Sequence, residues 1–199
     1  PKAAVVNLGC GLDGMGRRAD NGQCKIYNLD FEDVIKVRNE LLPAGEREEN
    51  VACDLNDTSW FDKIDASNGA VFFASGVFYY FLQEQVKELV CKMASAFPGG
   101  KLVFDAANKR AGKLMLKTWL KIAKIKDVGA YFAVSNAKKE LSLWSDDIKV
   151  SSRGYMLGYN NLKYPTISGF FRFLAKAGDN FMKMQIVRID FKEKAKEEL

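Results

Sequence analysis

Val5-Val6-Asn7-Leu8-Gly9-Cys10-Gly11-Leu12-Asp13-Gly14 runs from a short apolar strand straight into a glycine loop, and no other segment constrains the fold as much. Glycine bends the backbone at positive φ and lets a ligand lie against bare amides. The next apolar run, Lys25-Ile26-Tyr27-Asn28-Leu29, ends on Asp30. A carboxylate about 20 residues past such a loop is placed to accept both hydroxyls of a ribose. The junction therefore predicts a nucleoside site at the carboxyl end of a first parallel strand.

The rest of the chain repeats that grammar. Apolar runs at Ala3 to Leu8, Lys25 to Leu29, Glu49 to Ala52, Gly69 to Ser75 and Lys101 to Asp105 predict five strands. Between them, residues 31–42 and 83–97 carry apolar side chains at three- and four-residue spacing, closed by Pro43-Ala44-Gly45 and Pro98-Gly99-Gly100. Asn108 to Lys126 reads as a basic amphipathic helix, with Leu116, Trp119, Leu120 and Ala123 inward and Lys113, Lys117, Lys121 and Lys124 outward. That lysine stripe is read as a solvated face, because no aromatic residues interleave with it. Ile148 to Tyr159 and Met182 to Phe191 predict two last strands, separated by an Ile167–Ala177 helix and a Gly178-Asp179-Asn180 break. Strands alternating with helices predict an α/β fold of seven strands, largely parallel, the last antiparallel.

Composition narrows the chemistry. At 199 residues, 48% apolar and 28% charged, the chain suits one globular domain, and a net charge of +5 is too small to argue for nucleic acid. No apolar run is long enough for a membrane span. There is no histidine, so no imidazole base or His metal site can be built from these residues. Cys10, Cys24, Cys53 and Cys91 lack C-x-x-C spacing and read as reduced thiols of a cytoplasmic protein, with no metal expected.

Gly9, Gly11 and Gly14 match G-x-G-x-x-G, so an NAD(P)-dependent oxidoreductase stands as an alternative. Against it, residues 15–22 are polar, lack an apolar stripe and leave little room for a phosphate-binding helix. Asp54, just past the third strand, offers a second carboxylate for an adenine amine, with Leu55 supplying apolar contact. Two carboxylates without a phosphate-binding helix favour a phosphate-free nucleoside, for which S-adenosyl-L-methionine is the natural candidate.

The runs Asn7-Leu8-Gly9-Cys10-Gly11-Leu12-Asp13, Tyr27-Asn28-Leu29-Asp30-Phe31, Cys53-Asp54-Leu55 and Ser75-Gly76-Val77-Phe78-Tyr79-Tyr80 follow in order. Together they resemble the leucine carboxyl methyltransferase family and its bacterial branch of tetracenomycin polyketide synthesis O-methyltransferase-like enzymes. The resemblance implies a Rossmann-like class I methyltransferase fold, strand order 3-2-1-4-5-7-6 with helices on both faces. It implies S-adenosyl-L-methionine as donor and S-adenosyl-L-homocysteine as product. Gly9, Cys10 and Gly11 are then expected under the donor's methionine end, Asp30 on the ribose, Phe31 among the donor-binding residues, Asp54 and Leu55 at the adenine, and Ser75 and Gly76 near its amino-acid end. Family members commonly carry Glu where this chain has Ser75, and Thr-Arg where it has Gly14-Met15. The expectation for residues 1–199 is a single methyltransferase domain lacking the family's N-terminal helical segment.

The activity so implied is O-methylation of a carboxylate or hydroxyl, on a polyketide-like small molecule or a protein carboxyl group. Neither a nucleic acid nor a membrane is expected as partner. Without histidine, a carboxylate, which needs no general base, or an acidic phenol is mildly favoured as the acceptor. Tyr80 is the one side chain named near the acceptor; packing of a strand-to-helix corner by Phe78, Tyr79, Tyr80 and Phe81 is its alternative. Asp13 is expected to support the loop, and Asp105 to serve a turn or cap. A domain that binds donor but is catalytically impaired is the non-enzymatic alternative.

Overall fold

A computed structural model of the chain describes residues 1–115, 129, 131–156 and 165–193. Seven strands form one sheet in the order β3-β2-β1-β4-β5-β7-β6, as expected. They are β1 Ala4–Leu8, β2 Ile26–Asp30, β3 Glu48–Ala52, β4 Ala70–Ala74, β5 Lys101–Ala106, β6 Ile148–Gly154 and β7 Gln185–Phe191. The pairs β1 with β2, β1 with β4, β2 with β3 and β4 with β5 are parallel. β7 runs antiparallel between β5 and β6. The carboxyl ends of β1, β2, β3, β4 and β5 therefore share one edge, with the turn from β1 to β2 and the turn from β4 to β5 on either side of a strand-order reversal. Open α/β sheets bind ligands in such a crevice.

The helices are α1 Met15–Ala19, α2 Glu32–Leu41, α3 Gln83–Ala96, α4 Lys109–Met115, α5 Ala137–Leu141 and α6 Gly169–Phe181. α1 is five residues long and has no side-chain cap, in keeping with the short polar segment read from sequence. α3 turns Val86, Leu89, Val90 and Met93 into the core, the periodicity expected of it. Its neighbour is a 3₁₀ turn over Thr58–Lys63 that carries Trp60, fully buried against Phe61, Phe72 and Phe97. A second aromatic cluster, Phe78 with Phe104 and Phe132, closes the corner after β4.

Two expectations change. Gly178-Asp179-Asn180 does not break the chain: α6 continues through it to Phe181, and β7 starts at Gln185 rather than Met182. The Asp179 carboxylate is buried and accepts the Met156 amide at 2.9 and 3.1 Å, so a tertiary anchor overrides the turn propensity of the three residues. The reversal comes at Lys183, in the left-handed region at φ 52°. β6 ends at Gly154, and Leu157 to Tyr159 of its expected span lie outside the described residues, as do Leu116 to Lys126 of the basic helix.

Among the described residues the Trp60 indole nitrogen has no hydrogen-bond partner, so packing is its contribution. Truncating Trp60→Ala is expected to cost about 3–5 kcal/mol in urea unfolding. Trp60→Phe, which keeps a ring and orphans no donor, loses markedly less.

Candidate functional site

Four short loops meet at the carboxyl edge. The first leaves β1. Gly9 and Gly11 sit at φ 63° and 47°, conformations that side-chain-bearing residues rarely adopt. A Cβ on Gly9 would stand 2.6 Å from Val77 Cγ2, so the loop after β1 and the loop after β4 touch where only bare backbone fits. Cys10 continues the strand ladder by donating its amide to the Leu29 carbonyl at 2.9 Å. Asp30 then ties the second strand to the loop: its Oδ2 accepts the Gly11 amide at 2.7 Å and its Oδ1 accepts the Phe31 amide at 2.8 Å. Each oxygen retains a further lone pair for a hydroxyl.

Arg38, on α2, holds the loop from behind. It is almost wholly buried, and its Nη1 donates to the carbonyls of both Gly11 and Asp13 at 2.8 Å. Its Nε donates to Asn50 Oδ1 at 3.1 Å. Asp13 supports the loop, as expected, by accepting Asn7 Nδ2 at 3.1 Å and the Met15 amide at 2.8 Å. The sequence reading missed Arg38, since a charged residue on an amphipathic helix normally faces water. The signal was its position four residues after Val34 and three after Ile35, on the inward side.

The loop after β4 is fixed differently. Gly76, at φ 72°, donates its amide to Asp105 Oδ1 at 2.6 Å. The Tyr79 phenol also bonds Asp105; burial and that carboxylate together raise its pKa far above the ordinary tyrosine range. Asp105 is thus a cap on the turn. Phe78 is buried and Tyr79 mostly so, while Tyr80 is 43% exposed and turns to the opening. The four-aromatic corner expected from sequence is divided between packing and cleft.

These loops enclose a cleft of about 540 Å³. Of the residues named from sequence, Gly9, Asp30, Phe31, Leu55, Ser75, Gly76 and Tyr80 line it. Cys10, Gly11 and Asp54 adjoin but do not line it. Cys10 is buried beneath the loop, and Gly11 spends its amide on Asp30. Asp54 Oδ1 accepts the backbone and side-chain amides of Asn56, both at 2.9 Å, and the residue is exposed. The turn it builds presents Asn56 to the cleft instead, braced at 3.1 Å by Gln85 Nε2. Asn56 and Gln85 were not anticipated; the signal for Gln85 was its place three residues after Leu82, whose amide its Oε1 accepts at 2.8 Å.

Asp30 is the one charged side chain among the described lining residues; none of these is a lysine or arginine. Cys53 also lines the cleft, and burial pushes its thiol up to about 11. Burial pushes Cys10 up to about 12, against the opposing pull of Arg38. Both stay protonated near neutrality and are poor nucleophiles there. Among the described residues there is no cluster of three metal-ligating side chains.

A family model described as Leucine carboxyl methyltransferase matches residues 2–94, from β1 into α3. The family resemblance is borne out. The match takes in the loop after β1, Asp30 and the loop after β4, the same elements that wall the cleft. The tetracenomycin polyketide synthesis O-methyltransferase TcmP of Streptomyces glaucescens is 27% identical over 107 residues, 53% of this chain and 40% of that protein. The chain thus spans less than half the length of that relative. Among solved structures, an S-adenosylmethionine-dependent methyltransferase from Mesorhizobium loti superposes with TM-score 0.64 at 14% identity, over 95% of this chain and 91% of that one. Human N-acetylserotonin methyltransferase, solved with SAM, gives 0.59 at 12% identity, over 96% and 48%. At such identities the superpositions establish the class I methyltransferase fold.

Two measurements follow. Arg38→Met orphans the Gly11 and Asp13 carbonyls, at about 1–3 kcal/mol for each buried group, and urea unfolding is expected to show that loss. The raised thiols set a pH dependence. Between the ordinary thiol pKa and the folded values, the unfolded chain loses protons that the folded chain keeps, so stability falls as pH rises above about 9. Replacing Cys10 and Cys53 together by Ala is expected to flatten that decline between pH 9 and 11, read by unfolding at each pH.

Proposed function

We propose that this protein is an S-adenosyl-L-methionine-dependent O-methyltransferase whose donor lies in the cleft between the loops after β1, β2, β3 and β4. The observation that carries this reading is the cleft's charge: among the described residues its walls carry one carboxylate, Asp30, and no cationic side chain. A dinucleotide brings a pyrophosphate, which wants a helix amino terminus or a cation. The five-residue α1 and an acidic wall serve that group poorly. A phosphate-free adenosyl group with a sulfonium centre suits them well. The family match supports the same donor.

When bound, S-adenosyl-L-methionine supplies an electrophilic methyl group to an in-line oxygen nucleophile. The chain's own residues bind and align. Asp30 accepts from the ribose hydroxyls with the lone pairs that Gly11 and Phe31 leave over. Leu55 and Phe31 offer apolar faces to the base, and Asn56 offers it an amide. The bare backbone at Gly9 and Gly76 lets the amino-acid end approach closely. Asp54 is left as the residue that shapes the turn presenting Asn56.

Tyr80 is proposed to orient the acceptor oxygen from the open side. Holding that oxygen about 3–3.5 Å from the methyl, in line, accounts for most of the acceleration asked of such a site. Among the described lining residues the one carboxylate, Asp30, is assigned to the ribose and none is a lysine, arginine or glutamate, so an acceptor that is already anionic fits best. A carboxylate, on a small molecule or a protein, is therefore preferred over an alcohol, and a protonated hydroxyl would have to release its proton to water.

Isothermal titration separates the readings. Heat with S-adenosylhomocysteine and none with NADH is the expected result; the reverse overturns the proposal. Asp30→Asn removes the charged acceptor and should weaken S-adenosylhomocysteine about 10- to 150-fold, the equivalent of roughly 1.5–3 kcal/mol.

A further inference from the structure

We infer that α6, with the start of α4, forms a face that docks on an anionic lipid surface. α6 is built inside out for a helix of a globular protein. Its inward side consists of Ala175 and Asp179, four residues apart and both buried. Its outward side carries Phe170, Phe173, Leu174 and Phe181 at helical spacing, with Phe171 beside them. The four phenylalanines are between 57% and 66% exposed. An apolar groove lined by Met156, Ile167, Phe171, Leu174 and Met184 runs alongside.

Charge identifies the occupant. Within α6, Lys176 is exposed three residues after Phe173, and α4 brings Lys109, Arg110 and Lys113. The two helices meet: Asn108 Nδ2 donates to the Phe181 carbonyl at 2.9 Å, and the Arg110 guanidinium lies 5.0 Å over the Phe181 ring. α4 contains no acidic residue, and the one acid of α6, Asp179, is buried on the Met156 amide. An apolar stripe of aromatic and leucine side chains bordered by cations is the pattern of a helix lying in the membrane interface. Each basic residue near an anionic bilayer adds to that attraction.

A second copy of the chain fits less well. Pairing the face with itself would oppose cations to cations. Base stacking by single-stranded RNA wants a basic groove with separated ring faces, whereas these rings crowd along a convex helix. The absence of a long apolar helix among the described residues is no obstacle, since a helix lying in the interface does not cross it.

The test is cosedimentation of the full chain with vesicles of phosphatidylcholine alone and of phosphatidylcholine with about one-third phosphatidylserine. Binding to the anionic vesicles at least about tenfold tighter than to the neutral ones is expected. Phe170→Ser with Phe173→Ser should abolish it, and Arg110→Glu with Lys113→Glu should erase the preference for phosphatidylserine. Circular dichroism of each variant confirms folding. The proposal is overturned if neither vesicle is bound or if the serine pair binds as well as the parent. It is also overturned if those serines instead remove a concentration-dependent dimer or retention on single-stranded RNA. None of these outcomes depends on the donor chemistry of the cleft.

Discussion

The Arg38 guanidinium, buried behind the glycine loop and bonded to two of its carbonyls, is the interaction on which the candidate site rests. A loop that must present bare backbone to a ligand has no side chains with which to hold itself. Its shape has to come from groups behind it. Arg38 grips the Gly11 and Asp13 carbonyls, Asp30 takes the Gly11 amide from the other direction, and Asp13 fastens the exit to Asn7 and Met15. Burying a cation is costly, and the cost is offset only while the hydrogen bonds around it are complete. That makes the arrangement two-sided: the loop needs Arg38, and Arg38 needs the loop.

The opposite wall repeats the device with the sign reversed. There Asp105 takes the amide of Gly76 and the phenol of Tyr79, so a carboxylate at the end of β5 sets a left-handed glycine at the end of β4. The two walls then meet at Gly9 and Val77 with no room for a Cβ. The cleft so formed carries one acidic group on its described lining, and Arg38 is turned inward to the loop carbonyls. This partition of charge is the physical basis for preferring a sulfonium nucleoside to a pyrophosphate.

Much of this was legible in the chain. The strand-loop-acid spacing of Val5 to Asp30, the apolar fourth strand and the helical period of residues 83–97 are local patterns, and local patterns survive into the fold. Less was legible where two distant segments negotiate. Asp54 carries the charge that a reader of sequence notices, yet a turn closed on its own carboxylate hands the cleft to Asn56. Gly178-Asp179-Asn180 has the composition of a turn, yet Asp179 finds the Met156 amide and the helix continues. The 3₁₀ turn bearing Trp60 has no repeat long enough to register as a period.

By itself the sequence determined the α/β architecture, the strand order through its resemblance, and the glycine loop with its acidic partner at Asp30. These follow from periodicity and from backbone freedom, which belong to neighbouring residues. Tertiary structure alone decided which polar groups point into the cleft, that Arg38 is an internal clamp and that the phenylalanines of α6 face outward. Those outcomes depend on which side of an element is already occupied, and only the packed chain settles that.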